Sequence, residues 1–278
     1  MKLHDAPLAP AGVVLADVHA LRGGAVAAVP DWLAEEVPVA LVANGIGQAV
    51  MMASPADLED FALGFGLTEG WFRAPHELYG VDVQPGCDGI ELHLEVASAC
   101  AVRLRERRRS MAGRTGCGLC GTDSLAQVQR DLPSAPVVTV TPAAMARALR
   151  ALRTHQALQQ LTGATHAAAW CGLDGRIRHV REDIGRHNAL DKLIGAIARA
   201  GHDPAQGFAI VTSRASYEMV LKLASVGGGL LAAISAPTGM AVDLAARTGV
   251  TLCGFVRGSQ MVIYNNAATD STRPQEID

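Results

Sequence analysis

The run Phe208-Ala209-Ile210-Val211-Thr212-Ser213-Arg214-Ala215-Ser216-Tyr217-Glu218-Met219-Val220-Leu221-Lys222-Leu223-Ala224 reads as a buried strand, Phe208 to Thr212, feeding a helix from Ser216 to Ala224. The same grammar repeats downstream. Leu230 to Ser235 is a strand, Thr238 to Arg247 a helix stopped by Gly249, and Thr251 to Val256 and Met261 to Tyr264 are strands that complete the series. Upstream, His166 to Cys171 and Arg176 to Val180 form a hairpin around Asp174-Gly175, followed by a helix from about Asn188 to Ala200 with Gly201 as its stop. Such alternation predicts a layered α/β domain with ligand sites at strand ends.

The first part of the chain has a different texture. Val37 to Val42 is strand-like, Asn44-Gly45 marks a turn, and a second apolar run reaches Met52. Ser54 is the expected N-cap of a helix with Pro55 as its first residue, and Leu58, Phe61, Ala62 and Phe65 follow at helical spacing. Gly89 to Val96 alternates polar and apolar side chains, the pattern of a strand with one wet face. Farther on, Thr141-Pro142 opens a helix carrying Met145, Leu149, Leu152, Leu158 and Leu161 on one side, ended by Gly163. The 278 residues are therefore expected to form a small α+β unit over 28–110, a larger α/β domain over 111–266 and a flexible tail over 267–278.

Composition narrows the class of function. With 49% hydrophobic and 18% charged residues and a net charge of −3, nothing global points to a nucleic-acid or membrane partner. Asp17, His19 and Arg22 interrupt the only candidate leader, and the most apolar window, Met219 to Pro237, carries Lys222 and the Gly227-Gly228-Gly229 triplet. A cytoplasmic location with free thiols is expected. Of the six cysteines, Cys87, Cys100, Cys171 and Cys253 sit in strand-like or apolar contexts and read as small core residues.

The other two form Cys117-Gly118-Leu119-Cys120, with Gly113, Gly116 and Gly121 close by. The glycines predict an exposed, mobile loop, and Thr122 or Asp123 is placed to cap a helix beginning near Ser124. Thiols just before a helix N-terminus favour the thiolate, the reactive form. A C-x-x-C pair is nevertheless shared by metal sites, redox couples and sulfur carriers. The metal reading lacks a second ligand pair of recognisable spacing, and a thioredoxin-like couple belongs after the first strand of a βαβ unit, not in mid-chain. Arg103, Arg105, Arg107, Arg108, Arg109 and Arg114 cluster just ahead of the pair, either as a solvated face or as a basic approach to it.

Several segments resemble one family, the formate dehydrogenase accessory sulfurtransferases called FdhD. They are Glu36 to Ala40 with Asn44-Gly45, Ser54 to Phe65 through Gly70, the cysteine loop, Thr162 to Ala169 and Val180 to Gly195. Ser213 to Glu218, Ser235 to Thr238 and Phe255-Val256-Arg257-Gly258 continue the likeness, which covers roughly residues 35 to 265. The resemblance implies a sulfur carrier that takes persulfide sulfur from a cysteine desulfurase and passes it to a molybdenum bis(molybdopterin guanine dinucleotide) cofactor destined for formate dehydrogenase. It implies Cys117 as the persulfide site, Cys120 as its support, and Phe255, Val256, Arg257, Gly258, Ser259 and Gln260 as the cofactor-binding segment. It also implies a large domain similar to the cytidine deaminase fold, and a homodimer is the expected assembly. Ser213, Arg214, Arg186 and His187 are further candidates for cofactor contacts, because they stand where strands feed helices. Deaminase chemistry itself is not expected: Ala168 stands two positions after His166 where an H-x-E signature needs glutamate, and Gly116, not proline, precedes Cys117. No resident metal is expected, and the alternative reading is a cofactor-binding chaperone without persulfide chemistry.

Overall fold

The computed structural model describes residues 10–110 and 132–266. An N-terminal hairpin comes first, β1 (Val13–Arg22) and β2 (Ala25–Ala34), turning on Gly23 and Gly24, both at positive φ. Among the described residues its edges pair with no other sheet. This hairpin was not anticipated, and residue 28, where the small unit was expected to begin, falls inside β2.

A four-stranded sheet follows, in the order β4-β3-β6-β5. Its strands are β3 (Val37–Ala43), β4 (Ile46–Ala53), β5 (Leu78–Gly86) and β6 (Gly89–Val96). Asn44 and Gly45 both have positive φ, the backbone that lets two residues close a hairpin between right-twisted strands. Strand periodicity of two sends Val39, Leu41, Leu92 and Leu94 to one face. There they meet Phe61 and Phe65 of α1 (Leu58–Thr68) and Cys100 and Leu104 of α2 (Ser98–Ser110).

The larger sheet has six strands in the order β12-β11-β10-β9-β7-β8. These are β7 (His166–Gly172), β8 (Ile177–Asp183), β9 (Gly207–Val211), β10 (Leu230–Ala233), β11 (Thr251–Arg257) and β12 (Gln260–Asn265). The strands β9, β10 and β11 are parallel, while β7 runs antiparallel to both neighbours and β12 antiparallel to β11. Alternate side chains serve two cores. Trp170, Val211, Leu231 and Leu252 face α5 (Arg186–Arg199), α6 (Tyr217–Ser225) and α7 (Gly239–Thr248), through Leu193, Met219, Leu223 and Leu244. Phe208, Ile210, Ala232 and Cys253 face Met145, Leu149 and Leu152 of α3 (Pro142–Thr154). The result is a mixed α/β architecture with helices on both faces of its larger sheet.

The two sheets are joined through helices α1 and α5. A Cβ on Gly64 would run into the Asp191 carbonyl, and one on Gly195 into the Asp60 carbonyl, so glycine sets how closely these backbones cross. Buried charges reinforce the junction. Lys192 and Asp183, both without exposed side-chain surface, lie 2.7 Å apart. Asp183 also accepts from the backbone N–H of Ser54 (3.0 Å) and Gly185 (2.8 Å) and from Asn188 Nδ2 (3.1 Å). Lys192 donates to the Ser54 carbonyl at 2.9 Å. Burial pulls the Lys192 ammonium down, and Asp183 opposes that pull. Nearby, Lys222 reaches Asp191 (3.0 Å), Thr68 (3.1 Å) and Glu69 (3.2 Å). Burial works against its ammonium, yet Asp191 and Glu69 carry its pKa upward. Burial also pushes Asp191 up; with three acceptors around the ammonium, the charged pair is the form the geometry favours.

Three local expectations change. Helix α1 starts at Leu58 with Asp57 in a left-handed conformation as its N-cap, not at Ser54-Pro55. Ser54 is occupied elsewhere, because its hydroxyl accepts from the Ile184 N–H at 3.2 Å and its own N–H goes to Asp183, so a tertiary clamp wins over local capping. The helix opened by Thr141 breaks in two, with α4 (Ala157–Thr162) starting afresh after Gln156. Glu182 imposes the restart by accepting the N–H groups of Leu158 and Gln159 at 2.9 and 2.8 Å. Helix α5 begins at Arg186, so Arg186 and His187 belong to its first turn instead of preceding it. The tail over 267–278, the cysteine loop and the helix expected near Ser124 lie outside the described residues.

Candidate functional site

Three parallel strands end side by side, and their following loops are stitched together. The Ala215 N–H donates to the Ala236 carbonyl (3.2 Å), the Thr238 N–H to the Ala215 carbonyl (3.0 Å), and the Phe255 N–H to the Ser235 carbonyl (3.1 Å). Ser216 and Thr238 are the N-caps of α6 and α7, so two helices start at this edge. A third start comes from α5, whose N-cap Gly185 follows directly on β8 and Asp183. Antiparallel pairing brings the first residue of β7, His166, to the same edge, with the Ala167 N–H donating to Thr212 Oγ1 at 2.9 Å.

The polar side chains here are short of partners. Arg186 Nε and Ser216 Oγ are buried atoms without hydrogen bonds. His187 Nε2 lies 2.7 Å from Glu218 Oε2, close enough for an ion pair but with its N–H off the line a hydrogen bond needs. The His187 contact holds the Glu218 carboxyl below its usual range against the opposing effect of burial. Burial, with Arg186 and His187 adding to it, pushes His166 below the usual imidazole range, so it is the neutral base of the cluster. Arg214 stands exposed at the rim. An edge with three helix starts and two arginines suits an anionic group better than a cation.

Among the candidates, Ser213, Arg214, Arg186 and His187 share this edge, together with the end of β11. Ser213 is buried and its hydroxyl bonds the Arg214 carbonyl at 3.0 Å. Phe255 is exposed and has a φ of 51°, where a side-chain-bearing residue is strained. The strain has a visible cause: the β11–β12 register shifts between Gly254 and Arg257, and a Cβ at Gly254 would press on Pro237 and Tyr264. Val256 is buried, Arg257 pairs across to Gln260, and Gly258 (φ 58°) and Ser259 make the exposed turn. Sequence reading passed over Glu218 as the partner of His187. Nothing in their spacing signals it, because α5 and α6 meet only in the fold.

The thiols separate cleanly. Cys100, Cys171 and Cys253 are buried, as expected. Burial pushes Cys171 up to about 12 and Cys253 up to about 11, and raises Cys100 as well. Cys87 is a correction, for it is exposed in the β5–β6 turn instead of packed in a core. Cys117 and Cys120 lie outside the described residues. Within the arginine cluster, Arg103 is tied to Glu77 (2.6 Å) and to the Trp71 carbonyl (3.3 Å), a structural role. No group of three or more His, Cys, Asp or Glu among the described residues is placed to hold a metal, and none of the described helices is long and apolar enough to cross a membrane.

Comparison with known proteins adds the family. The chain is 52% identical over 271 residues to the sulfur carrier protein FdhD of Bordetella petrii, a match covering 96% of this chain and 98% of the relative. It is 56% identical over 246 residues to the protein of the same name from Cupriavidus necator, covering 87% and 85%. The fold matches a crystal structure of a candidate formate dehydrogenase accessory protein from Desulfotalea psychrophila, with TM-score 0.73 over 91% of this chain and 96% of that one, at 21% identity. The model of the FdhD/NarQ family matches residues 34–269, and with relatives this close the chain belongs to that family.

Proposed function

We propose that this protein is a sulfur carrier in the maturation of formate dehydrogenase, with Cys117 as the carrying thiol. The observation that carries the reading is the distribution of thiols. Three of the four described cysteines are buried and held as thiols, whereas Cys117 and Cys120 lie in a glycine-rich C-x-x-C ahead of a predicted helix start. The name borne by the curated relatives supports it. In the donor step the Cys117 thiolate attacks the outer sulfur of a cysteine desulfurase persulfide. A new S–S bond forms on Cys117, the donor's S–S bond breaks, and the donor cysteine leaves as thiolate. Cys120 assists by stabilising or releasing the bound sulfur.

The acceptor is the guanine dinucleotide form of the molybdenum cofactor, bound as substrate at the edge where β9, β10 and β11 end. Arg186, Arg214 and Arg257 meet its phosphates, while Phe255 to Gln260 form one wall. On this reading the 28–110 unit and the 111–266 unit divide the work, the second holding the acceptor in the cytoplasm. A kinship of the larger sheet with cytidine deaminases is part of the proposal and rests on a sheet covered by helices on both faces.

The basic edge alone also fits a cofactor-holding chaperone. A Cys117→Ala variant separates the two readings in a strain lacking the endogenous protein: formate dehydrogenase activity is lost if Cys117 carries sulfur, and activity that persists refutes the carrier.

A further inference from the structure

Charge is unevenly spread along this chain. From Gly23 to Val102 there are twelve acidic residues and a single arginine, Arg73. Several of these acids are neutralised by cations from the rest of the chain: Asp60 by Arg181 and Arg199, Glu69 by Lys222, and Glu77 by Arg103. Four are not. Asp82, Asp88, Glu91 and Glu95 have no lysine or arginine partner among the described residues, and Glu91 has only His93 at 2.8 Å.

Their location follows from the register of the small sheet. Since Leu92, Leu94 and Val96 point into the core, Glu91, His93 and Glu95 point out from β6, next to Asp82 and Gln84 of β5. On the other half of that open face, Pro38, Ala40 and Val42 of β3 stand beside Val50 and Met52 of β4, which are 66% and 47% exposed. An acidic strip thus lies against an apolar strip. A shallow hollow of about 440 Å³, lined by Pro38, Ala40, Val50, Gln84, Asp88 and Glu91, straddles the two.

We propose that this open face docks the protein that donates sulfur, which presents lysine and arginine side chains alongside an apolar patch. The inference rests on the carrier reading above. Charge complementarity selects the occupant: a polyanionic cofactor is repelled here and belongs at the arginine-bearing edge, so the partner left for this face is the protein donor. Connectivity agrees, because in the sequence β6 and α2 immediately precede the cysteine segment. The apolar strip supplies the dry centre of an interface, and the carboxylates supply steering and register.

The test uses full-length protein and a purified cysteine desulfurase. Replacing Asp82, Glu91 and Glu95 together by lysine is expected to weaken binding at least about tenfold at low salt, and wild-type affinity is expected to fall as salt rises from about 50 to about 300 mM. Sulfur transfer to Cys117 from the desulfurase slows in parallel, while loading from inorganic polysulfide stays unchanged, which shows that the variant is folded and its thiol competent. A Val50→Ser, Met52→Ser variant weakens binding without altering the salt dependence. Unchanged desulfurase affinity in the lysine variant overturns the docking face but leaves the carrier standing, as does a loss confined to self-association of this chain. Failure of wild-type Cys117 to accept sulfur from either source overturns the carrier reading itself.

Discussion

At the scale of single residues, reactivity in this protein is a matter of burial. A thiol pushed up to about 12 at Cys171 or about 11 at Cys253 supplies almost no thiolate near neutral pH, so neither competes with an exposed cysteine for an electrophile. Brief alkylation of the native protein at pH 8, read by peptide mass, is expected to label Cys87 and spare Cys100, Cys171 and Cys253. Labelling of the three at the rate of Cys87 would contradict their placement. His166 offers a second test. Its folded pKa lies below the ordinary imidazole value, so the unfolded chain takes up a proton first as pH falls, and stability is lost from about pH 6.5 downward through the lowered folded value. A His166→Gln variant should therefore lose less stability between pH 7 and pH 5 than wild type in urea titrations, and an equal loss would refute the assignment.

Elements are where sequence was most legible, and where tertiary contacts overrode it. The continuous apolar run over Phe208 to Val211 and the stops at Gly163 and Gly249 were plain from local chemistry, and both glycines sit in the left-handed region. The start of α1 was not legible, because Ser54 is claimed by Asp183, a residue 129 positions away. Nor was the break between α3 and α4, imposed by a carboxylate on β8. The hairpin β1–β2 was missed for a different reason, since its apolar residues are largely exposed and do not alternate cleanly. The crossing of α1 and α5 makes a quantitative claim at this scale. Gly195→Ala drives a methyl into the Asp60 carbonyl and should destabilise by about 2–3 kcal/mol in chemical denaturation. Gly239→Ala, at a helix start with open space around it, should change stability by less than about 0.5 kcal/mol.

For the whole molecule, the buried pair of Lys192 and Asp183 ties the end of the small sheet to the first turns of α5, the helix that carries Arg186 and His187. Removing one partner leaves the other charge buried, so Lys192→Met is predicted to cost about 3–5 kcal/mol and to loosen both halves together, measured by urea unfolding with hydrogen exchange. Loss confined to one sheet would contradict the coupling. The candidate anion edge was legible only in part: Ser213, Arg214, Arg186 and His187 stood out because strands feed helices there, whereas their convergence with Ser216 and Glu218 depends on strand order. The thiol pair was legible from sequence alone as a C-x-x-C flanked by glycines, and its role is the central claim. The most direct measurement is peptide-resolved mass analysis after incubation with a cysteine desulfurase and free cysteine. One additional sulfur atom on the Cys117 peptide, removed by reductant and absent from Cys117→Ala, is the predicted result; a Cys117 peptide of unchanged mass while the desulfurase turns over would contradict the account.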